Sequence, residues 1–295
     1  MKSSVPPSRL LFADASRRRF LQQVSLGLGA ATFAGLVGPK SLALGETLER
    51  QEGRKLGVAL VGLGNYATHQ LAPALQETQY CRLSGIVTGT PAKEEEWAQR
   101  YDIPQENIYN YDNYDDIADN PDIDIVYVVL PVFMHAEYTI RAAQAGKHVI
   151  CEKPMAMSVR ECEQMIEACE KANRKLSIGY RLHFEPHTQE MMRLGQDEGF
   201  GKVKMIEASF GFRIGNPDAP HMRWRLQKDK AGGGALMDVG VYAIQGTRQI
   251  TGEEPVSVSA QEVKTNPEIF SEVDETLFWQ LKFPSGAAAN CGTSY

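Results

Sequence analysis

Three side chains in two short stretches of the sequence could together move a proton. Lys153 ends the strand-like run KHVICEK just before Pro154, while Asp238 and Tyr242 stand four residues apart in AGGGALMDVGVY. Residues at that spacing share one face of a helix, so the carboxylate and the phenol can point into the same space. A phenol ordinarily keeps its proton at neutral pH, and a nearby ammonium such as that of Lys153 favours the phenolate. The trio could therefore take a proton from a substrate hydroxyl group.

Each of these residues also has a plain structural explanation. Tyr242 fits a core aromatic at helical spacing with Met237 and Val241, and Lys153 fits a charge at the end of a strand. The place of Lys153 argues for more than that, because ligands of open α/β sheets bind at the carboxyl ends of the parallel strands. For Tyr242 the spacing alone leaves both interpretations open.

A second chemical feature is the glycine-rich stretch Gly62-Leu63-Gly64-Asn65-Tyr66-Ala67, which fits the pattern G-x-G-x-x-G/A. It follows the strand-like run LGVALV and opens the helix-like run YATHQLAPALQET, the context that this motif requires. Glycines there let the backbone approach a pyrophosphate, and the helix N-terminus supplies N–H donors and a positive dipole. We therefore predict a dinucleotide site containing Gly62, Gly64, Asn65 and Tyr66; the alternative is a glycine turn in an unrelated α/β fold.

The end of the second predicted strand indicates which dinucleotide binds. NAD enzymes place an acid about 20 residues after the glycines to hold the ribose 2′-hydroxyl. Here the stretch is GIVTGTPAK, which has no acid but offers the Thr88 hydroxyl and the Lys93 ammonium. Lys93 also fits a solvated residue in the first turn of a helix, so the missing acid carries more weight. We predict NADP as the cofactor.

The elements that must position these residues alternate between strand and helix from Leu56 to Tyr180. Short apolar runs such as DIDIVYVVLP, typical of strands buried on both faces, are separated by amphipathic stretches such as SVRECEQMIEACEKANR. That alternation predicts a Rossmann-type α/β domain with a doubly wound parallel sheet over residues 56–180.

After Tyr180 the pattern changes to a few helices followed by consecutive strand-like runs. PVSVSAQEVK, ETLFWQLKF and GAAANCGTSY are joined by short turn signals such as Pro284-Ser285-Gly286. We predict an α+β domain with an open antiparallel sheet over residues 181–295. Because the chain stops inside a strand pattern, we expect this domain to be incomplete at its C-terminus.

The segment HAEYTIRAAQAGKHVICEKP resembles the oxidoreductase family of glucose–fructose oxidoreductase, inositol dehydrogenase and MocA. The resemblance rests on His135, on Gly146-Lys147-His148-Val149 and on Glu152-Lys153-Pro154, and it runs from about Leu56 to Tyr295. The chain is most similar to the glucose–fructose oxidoreductase members, because Tyr242 stands where inositol dehydrogenase-like members usually have His.

This resemblance implies roles for individual residues. Tyr242 would be the catalytic acid–base, Lys153 would assist it, and Asp238 would hold a second sugar hydroxyl and orient the first. The Lys153–Pro154 bond would tend to be cis. Arg181 could line the sugar site as well as the cofactor. The residues that the resemblance places at the cofactor are Pro131, His135, Glu152, Lys153, Arg181, Trp224 and Arg225. Without the resemblance, a single His is usually structural and Trp224-Arg225 would be a loop anchor.

The implied activity is that of an NADP-dependent sugar oxidoreductase. An aldose would give a hydride from its anomeric carbon to tightly bound NADP and become a lactone, and a second sugar would collect the hydride. The alternatives are a sugar dehydrogenase with exchangeable NAD(P) and an exported sugar-binding relative without catalytic activity.

The N-terminal segment resembles a twin-arginine export signal. SRRRFL precedes an apolar stretch of about 14 residues, shorter than the ~20 of a membrane span, and Ser41-Leu42-Ala43 offers a small-residue cleavage site. We therefore predict a signal over residues 1–43, an arm over 44–55 that could strap the adenine side of the cofactor, and a folded periplasmic protein with no stable membrane anchor. A retained anchor or a basic amphipathic stretch is the alternative.

Composition excludes several other classes of protein. The formal net charge is −6, and the first 43 residues hold six of the 31 Lys and Arg but only one of the 37 Asp and Glu, so the remaining 25 basic and 36 acidic residues make the body a poor partner for nucleic acid. The five cysteines form no CxxC pair, which gives no support to a metal site or a disulfide scaffold. The apolar run LFWQLKF on an open sheet predicts a homo-oligomer, a dimer or tetramer formed through that sheet.

Overall fold

The computed structural model of the protein describes residues 53–295, and its first sheet is the predicted doubly wound one. Six parallel strands lie in the order β3-β2-β1-β4-β5-β6. The order reverses between β1 and β4, and a crevice for ligands opens at such a point beyond the carboxyl ends of the strands. The strands are β1 (Leu56–Val61), β2 (Cys81–Val87), β3 (Ile108–Tyr109), β4 (Ile125–Val128), β5 (His148–Cys151) and β6 (Leu176–Ile178).

Helices cover both faces of this sheet, each over its own hydrophobic cluster. On one face Tyr138, Ala142 and Met165 pack against Val126 and Val149; on the other, Ala67, Ala72 and Trp97 pack with strand residues such as Leu60 and Ile86. Strands buried on both faces account for the nearly continuous apolar runs of the sequence. The helices are α1 (Ala72–Glu77), which continues a π-helical turn (Ala67–Leu71), α2 (Pro91–Tyr101), α3 (His135–Gln144) and α4 (Val159–Lys171).

The predicted signal and most of the predicted arm lie outside the described residues. Of the arm, Arg54 forms an ion pair with Asp124, and Lys55 Nζ donates a hydrogen bond to the Thr78 carbonyl at 2.6 Å. Asp124 and Thr78 precede β4 and β2, so the described end of the arm is fixed at the amino edge of the sheet. The glycine loop lies at the opposite, carboxyl edge.

The remaining elements build the second sheet, in the order β7-β10-β9-β8. They are α5 (Pro186–Gln196), β7 (Met205–Gly211), the short helices α6 (Pro220–Arg223) and α7 (Lys228–Ala231), a π-helical turn (Leu236–Gly240), α8 (Val241–Thr251), β8 (Ser257–Val263), β9 (Thr276–Lys282) and β10 (Ala288–Ser294). Helix α8 packs on this sheet through Ala243, Ile244 and Ile250, against Trp279 and Leu281.

One strand pair makes this sheet mixed, whereas we predicted it to be antiparallel. The meander β8-β9-β10 is antiparallel as expected, but β10 pairs with β7 in parallel. The reason is the connection: after β7 the chain passes through α6, α7 and α8 and re-enters at the far edge. Two reversals then bring β10 back beside β7 in the same direction.

All five cysteines are free thiols. Within residues 53–295 no helix is long and apolar enough to span a membrane. The same part of the chain contains no cluster of three or more His, Cys, Asp or Glu side chains arranged to hold a metal ion.

Candidate active site

The proposed trio of Lys153, Asp238 and Tyr242 meets in the structure. Lys153 lies two residues beyond the end of β5, and its bond to Pro154 is cis, as the resemblance implied. Lys153 Nζ donates to Asp238 twice, to Oδ1 at 3.1 Å and to the main-chain carbonyl at 2.7 Å. Residues 85 positions apart in the sequence thus join the Rossmann sheet to the second domain.

The Asp238 carboxylate is held by two further donors. Arg225 Nε donates to Oδ2 at 3.0 Å, and the hydroxyl of Tyr295 donates to the same oxygen at 3.1 Å. With Lys153 on Oδ1, both carboxylate oxygens are engaged. Such a carboxylate is suited to fix its neighbours in place rather than to accept a proton from a substrate.

Charge, rather than burial, decides the ionisation of Asp238. Its side chain is 17% exposed, and burial alone would raise its pKa. Lys153 and Arg225 outweigh that effect, so the pKa of Asp238 lies below its ordinary value and the group is anionic at neutral pH. By contrast, burial and the adjacent Asp238 carboxylate raise the pKa of Tyr295, which stays a neutral hydrogen-bond donor.

Tyr242 faces this ion pair and not the core. It is only half-buried, whereas Val239 and Ala243 on the same helical segment are buried. Lys153 Nζ lies 5.0 Å from the centroid of the Tyr242 ring, and the Phe210 ring packs beside it at 5.1 Å between centroids. The ammonium therefore lies between Asp238 and the face of the phenol, a placement that fits the proposed role of Tyr242 better than that of a core aromatic.

The local backbone at Asp238 is unusual. Residues 236–240 form a π-helical turn, and regular α-helix starts only at Val241. Single π-turns inside helices are rare and occur frequently at functional sites. A second one, Ala67–Leu71, follows the glycine loop.

The two glycines of that loop serve different purposes. Gly62 has a φ of +92°, and a Cβ there would lie 2.7 Å from Leu130 Cδ2, so the fold itself requires glycine. At Gly64 a Cβ would meet no atom of the described chain within 4 Å, and Gly64 and Asn65 are exposed. An open backbone at the start of a helix is what a pyrophosphate needs for close approach, so the loop fits a dinucleotide.

The residues predicted to choose the cofactor lie beside this loop. Lys93 Nζ donates to the Leu63 carbonyl at 2.6 Å, which places an ammonium against the glycine loop. Thr88 is 3% exposed, and its hydroxyl accepts a hydrogen bond from the Thr90 amide. Thr88 thus shapes the turn after β2, while the exposed Thr90 offers the accessible hydroxyl there.

His135 lies in the interior, between two loops of the Rossmann domain. It is 1% exposed, and its ring nitrogens lie 2.9 Å from the Pro154 carbonyl and 2.8 Å from the Leu130 carbonyl. Burial lowers its pKa, so the neutral ring donates to one of these carbonyls only. His135 therefore braces the loop after β4, which contains Pro131, against the loop that carries Lys153, and its contact with the cofactor stays a prediction.

Arg225 contacts the carboxylate of the trio. Its guanidinium lies on Asp238, and its Cζ is 4.4 Å from the centroid of the Trp224 ring. The pair Trp224–Arg225 thus belongs to the surroundings of the carboxylate.

Glu152 lies beneath the site. It accepts hydrogen bonds from the Tyr127 hydroxyl at 2.7 Å and from the Lys153 amide at 3.2 Å. Burial raises its pKa, although these hydrogen bonds and the charges of Lys153 and Arg181 oppose the shift. Burial also raises the pKa of Tyr66, with a contribution from the Glu152 charge. Tyr66, Glu152 and Arg181 therefore share one electrostatic environment at the carboxyl edge of the sheet.

Sequence reasoning missed two of the side chains that complete the site. Tyr295 follows β10, and Phe210 lies in β7, which pairs with β10. Neither residue belongs to a motif. The alternation of side chains along a strand predicts which face of the sheet a residue lies on, but not which residue of the π-helical turn or of α8 it contacts.

Two family models match the chain. The model described as "Oxidoreductase family, NAD-binding Rossmann fold" matches residues 56–180, and the "GFO/IDH/MocA C-terminal domain" matches residues 188–295.

Curated relatives include dehydrogenases of sugars and diols. D-xylose 1-dehydrogenase [NADP(+)] of Haloarcula marismortui is 30% identical over 237 residues, which cover 80% of this chain and 65% of that protein. Trans-1,2-dihydrobenzene-1,2-diol dehydrogenase of Danio rerio is 35% identical over 202 residues, 68% of this chain and 56% of that protein. The chain thus spans less than two thirds of the length of these relatives.

Two solved structures share the fold. An aldose-aldose oxidoreductase from Caulobacter crescentus, complexed with glycerol, superimposes with a TM-score of 0.79 at 48% identity, over 82% of this chain and 71% of that one. A levoglucosan dehydrogenase, in complex with NADH and levoglucosan, gives a TM-score of 0.69 at 26% identity, over 82% and 67%.

We expect Asp238→Asn to lower the free energy of unfolding by about 3 kcal/mol at neutral pH, because Lys153 and Arg225 lose their shared counter-charge. Since the folded pKa of Asp238 is lowered, its stabilisation is complete above about pH 4, the ordinary range of the carboxyl, and is lost as the pH falls through the folded value. The gap between wild type and variant should be constant from about pH 5 to 8 and narrow below about pH 4.

Urea unfolding at a series of pH values measures this gap. Asp218→Asn, on an exposed loop, is the matched control and should change stability by less than about 0.5 kcal/mol. A gap for Asp238→Asn that does not depend on pH would show that charge is not what this carboxylate contributes.

Proposed function

The chain belongs to the Gfo/Idh/MocA oxidoreductase family, and from that premise we propose that it is an NADP-dependent sugar oxidoreductase. It oxidises the anomeric C–OH of an aldose to a lactone and passes the hydride to a second sugar. The observation that carries the proposal is the convergence of Lys153, Asp238 and Tyr242 at the carboxyl edge of the Rossmann sheet, beside an open dinucleotide loop.

Lys153, Asp238 and Tyr242 have different roles in the proton transfer. When bound, the nicotinamide supplies the group that accepts and returns a hydride. Tyr242 takes the proton from the anomeric hydroxyl at its phenol oxygen and returns it in the reverse direction. Lys153, 5.0 Å from the ring centroid, stabilises the negative charge that develops on that oxygen. Asp238 holds Lys153 in place from the other side.

Three observations support NADP. The turn after β2, residues 88–93, has no acid to hold a ribose 2′-hydroxyl, and Lys93 places an ammonium at the glycine loop, where a 2′-phosphate would be attracted. The relative from Haloarcula marismortui is named as an NADP(+) enzyme. Support for a second sugar as hydride acceptor comes from the solved relative from Caulobacter crescentus, which is named an aldose-aldose oxidoreductase.

The proposal is tested on the purified protein. Denaturation should release about one NADP(H) per chain, and common aldoses should raise the absorbance at 340 nm of the native protein until a second sugar discharges it. We expect Tyr242→Phe to lower kcat about 10²- to 10⁴-fold while the nucleotide stays bound, because only the proton-transfer group is lost.

Tyr101→Phe is the matched control. Its hydroxyl is buried on α2 without a hydrogen-bond partner among the described residues, so its removal should leave kcat unchanged. If no aldose reduces the bound cofactor, the enzyme proposal is wrong. Reduction that requires added NADP, with no nucleotide released on denaturation, would indicate the dehydrogenase alternative.

We further propose that the protein is exported in its folded state to the periplasm. The support is the sequence of residues 16–43, with three consecutive arginines, an apolar stretch and a small-residue site. Expression of the chain should give a periplasmic product that begins near residue 44, as read by mass spectrometry. Substitution of Arg18 and Arg19 by Lys should retain the uncut protein in the cytoplasm, and a periplasmic product from that variant would contradict the proposal.

We also propose self-association through the open sheet. Phe278 and Met205, on the side of the sheet away from α8, are 55% and 65% exposed, and every residue of β8 is exposed. Light scattering coupled to size-exclusion chromatography should give a dimer or tetramer that Phe278→Glu shifts to monomer. A monomeric wild type would contradict the proposal.

A further inference from the structure

The first backbone N–H groups of the helical segment that carries Asp238 and Tyr242 donate hydrogen bonds to a residue from a distant part of the chain. Asp274 stands 40 positions after Gly234 in the sequence, immediately before Glu275 and strand β9. Its Oδ1 accepts the Gly234 amide at 2.7 Å, its Oδ2 accepts the Leu236 amide at 2.7 Å, and its main-chain carbonyl accepts the Ala235 amide at 3.2 Å. Three consecutive N–H groups thus end on one residue.

These N–H groups need an acceptor because the first turn of a helix has none of its own. A Ser, Thr, Asp or Asn next to the turn usually supplies one. Here the sequence before Asp238 is GGGALM, and the residue that caps the π-turn, Ala235, makes no side-chain hydrogen bond. Asp274, although distant in the sequence, accepts the N–H groups that a capping residue next to the helix usually accepts.

The two backbones are packed too closely for any side chain between them. A Cβ on Gly234 would lie 1.9 Å from the Asp274 carbonyl oxygen and 2.8 Å from its amide nitrogen. Ala235, the next residue, is fully buried. The backbone of Asp274 therefore fixes the position of the first turn of the catalytic segment, residues 234–242. The close packing leaves this turn no room to shift.

Asp274 is itself fixed by its neighbours. Val273 is 3% exposed, and the Glu275 side chain, 6% exposed, accepts the Thr265 amide at 2.7 Å and the Asn266 amide at 2.9 Å. The Glu275 carbonyl accepts the amide of Tyr295 at 3.1 Å. The dipeptide Asp274–Glu275 thus sets both the start of the catalytic segment and the strand end that presents Tyr295 to Asp238.

We propose that Asp274 is a positioning residue for catalysis, which sets where Asp238 receives Lys153 and where the ring of Tyr242 meets the ammonium. Only the kinetic part of this proposal rests on the proposed function. Asp274 touches neither the ion pair nor the phenol in the contacts described, so its effect passes through the backbone of residues 234–238.

The test is Asp274→Asn, which keeps size and shape but replaces one acceptor oxygen by a donor facing an N–H group. We expect kcat to fall about 10- to 100-fold, with KM and nucleotide content changed less than about threefold, because misplacement of a catalytic group acts on the reaction step. Amide hydrogen exchange in the full chain should become faster across residues 234–242.

Glu185→Gln is the matched control. Its side chain is half-buried, as is that of Asp274, and it also accepts two backbone amides, but those amides belong to residues 187 and 188 at the start of α5. It should lower Tm while kcat and exchange across 234–242 stay close to wild type. Loss of kcat in Glu185→Gln equal to that in Asp274→Asn would overturn the proposal, as would wild-type kcat and unchanged exchange in Asp274→Asn.

The two proposals fail in different ways. If the wild type oxidises no aldose, the proposed function is wrong, and hydrogen exchange alone then decides the role of Asp274. Faster amide hydrogen exchange at Asp238 and Tyr242 in Asp274→Asn, but not in the control variant, supports the positioning role. Exchange that is unchanged at Asp238 and Tyr242 overturns it.

Discussion

The ion pair between Lys153 and Asp238 is the interaction on which the rest of the site depends. It joins the end of β5 to the helical segment of the second domain, and a buried charge is tolerated only when it is paired and hydrogen-bonded. Arg225 and Tyr295 occupy the remaining carboxylate oxygen, so the anion is fully satisfied. The pair therefore fixes Lys153 beside Tyr242 before any substrate arrives.

The loops and the helical turn around this ion pair are themselves held in place by hydrogen bonds. His135 ties the loop after β4 to the Pro154 carbonyl, and Asp274 holds the start of the segment that carries Asp238. These supports come from opposite domains, and they hold the oppositely charged side chains of Lys153 and Asp238 in place. The arrangement keeps the ammonium at a fixed distance from the phenol, which is the condition for stabilising charge that develops during a reaction.

Much of the fold was predictable from the sequence because its signals are local. Period-two and helical patterns, the glycine loop at the first β–α turn and the apolar strands gave the Rossmann sheet, and the family segment gave the trio. The contacts of His135 and Arg225 were not predictable, because a side chain's partner depends on contacts across the chain. Nothing near either residue in the sequence specifies a carbonyl pair or a carboxylate 13 positions away.

By itself the sequence determined the family, the dinucleotide loop, the absence of an acid from the turn after β2 (residues 88–93) and the identity of Lys153, Asp238 and Tyr242. Only the tertiary structure decided that β10 runs parallel to β7, that Tyr295 reaches Asp238 and that Asp274 caps a helix 40 residues before it. The physical reason is the distance along the chain over which each interaction acts. Backbone propensity and side-chain periodicity act over a few residues, whereas strand order and remote capping depend on which segments the packed chain brings together.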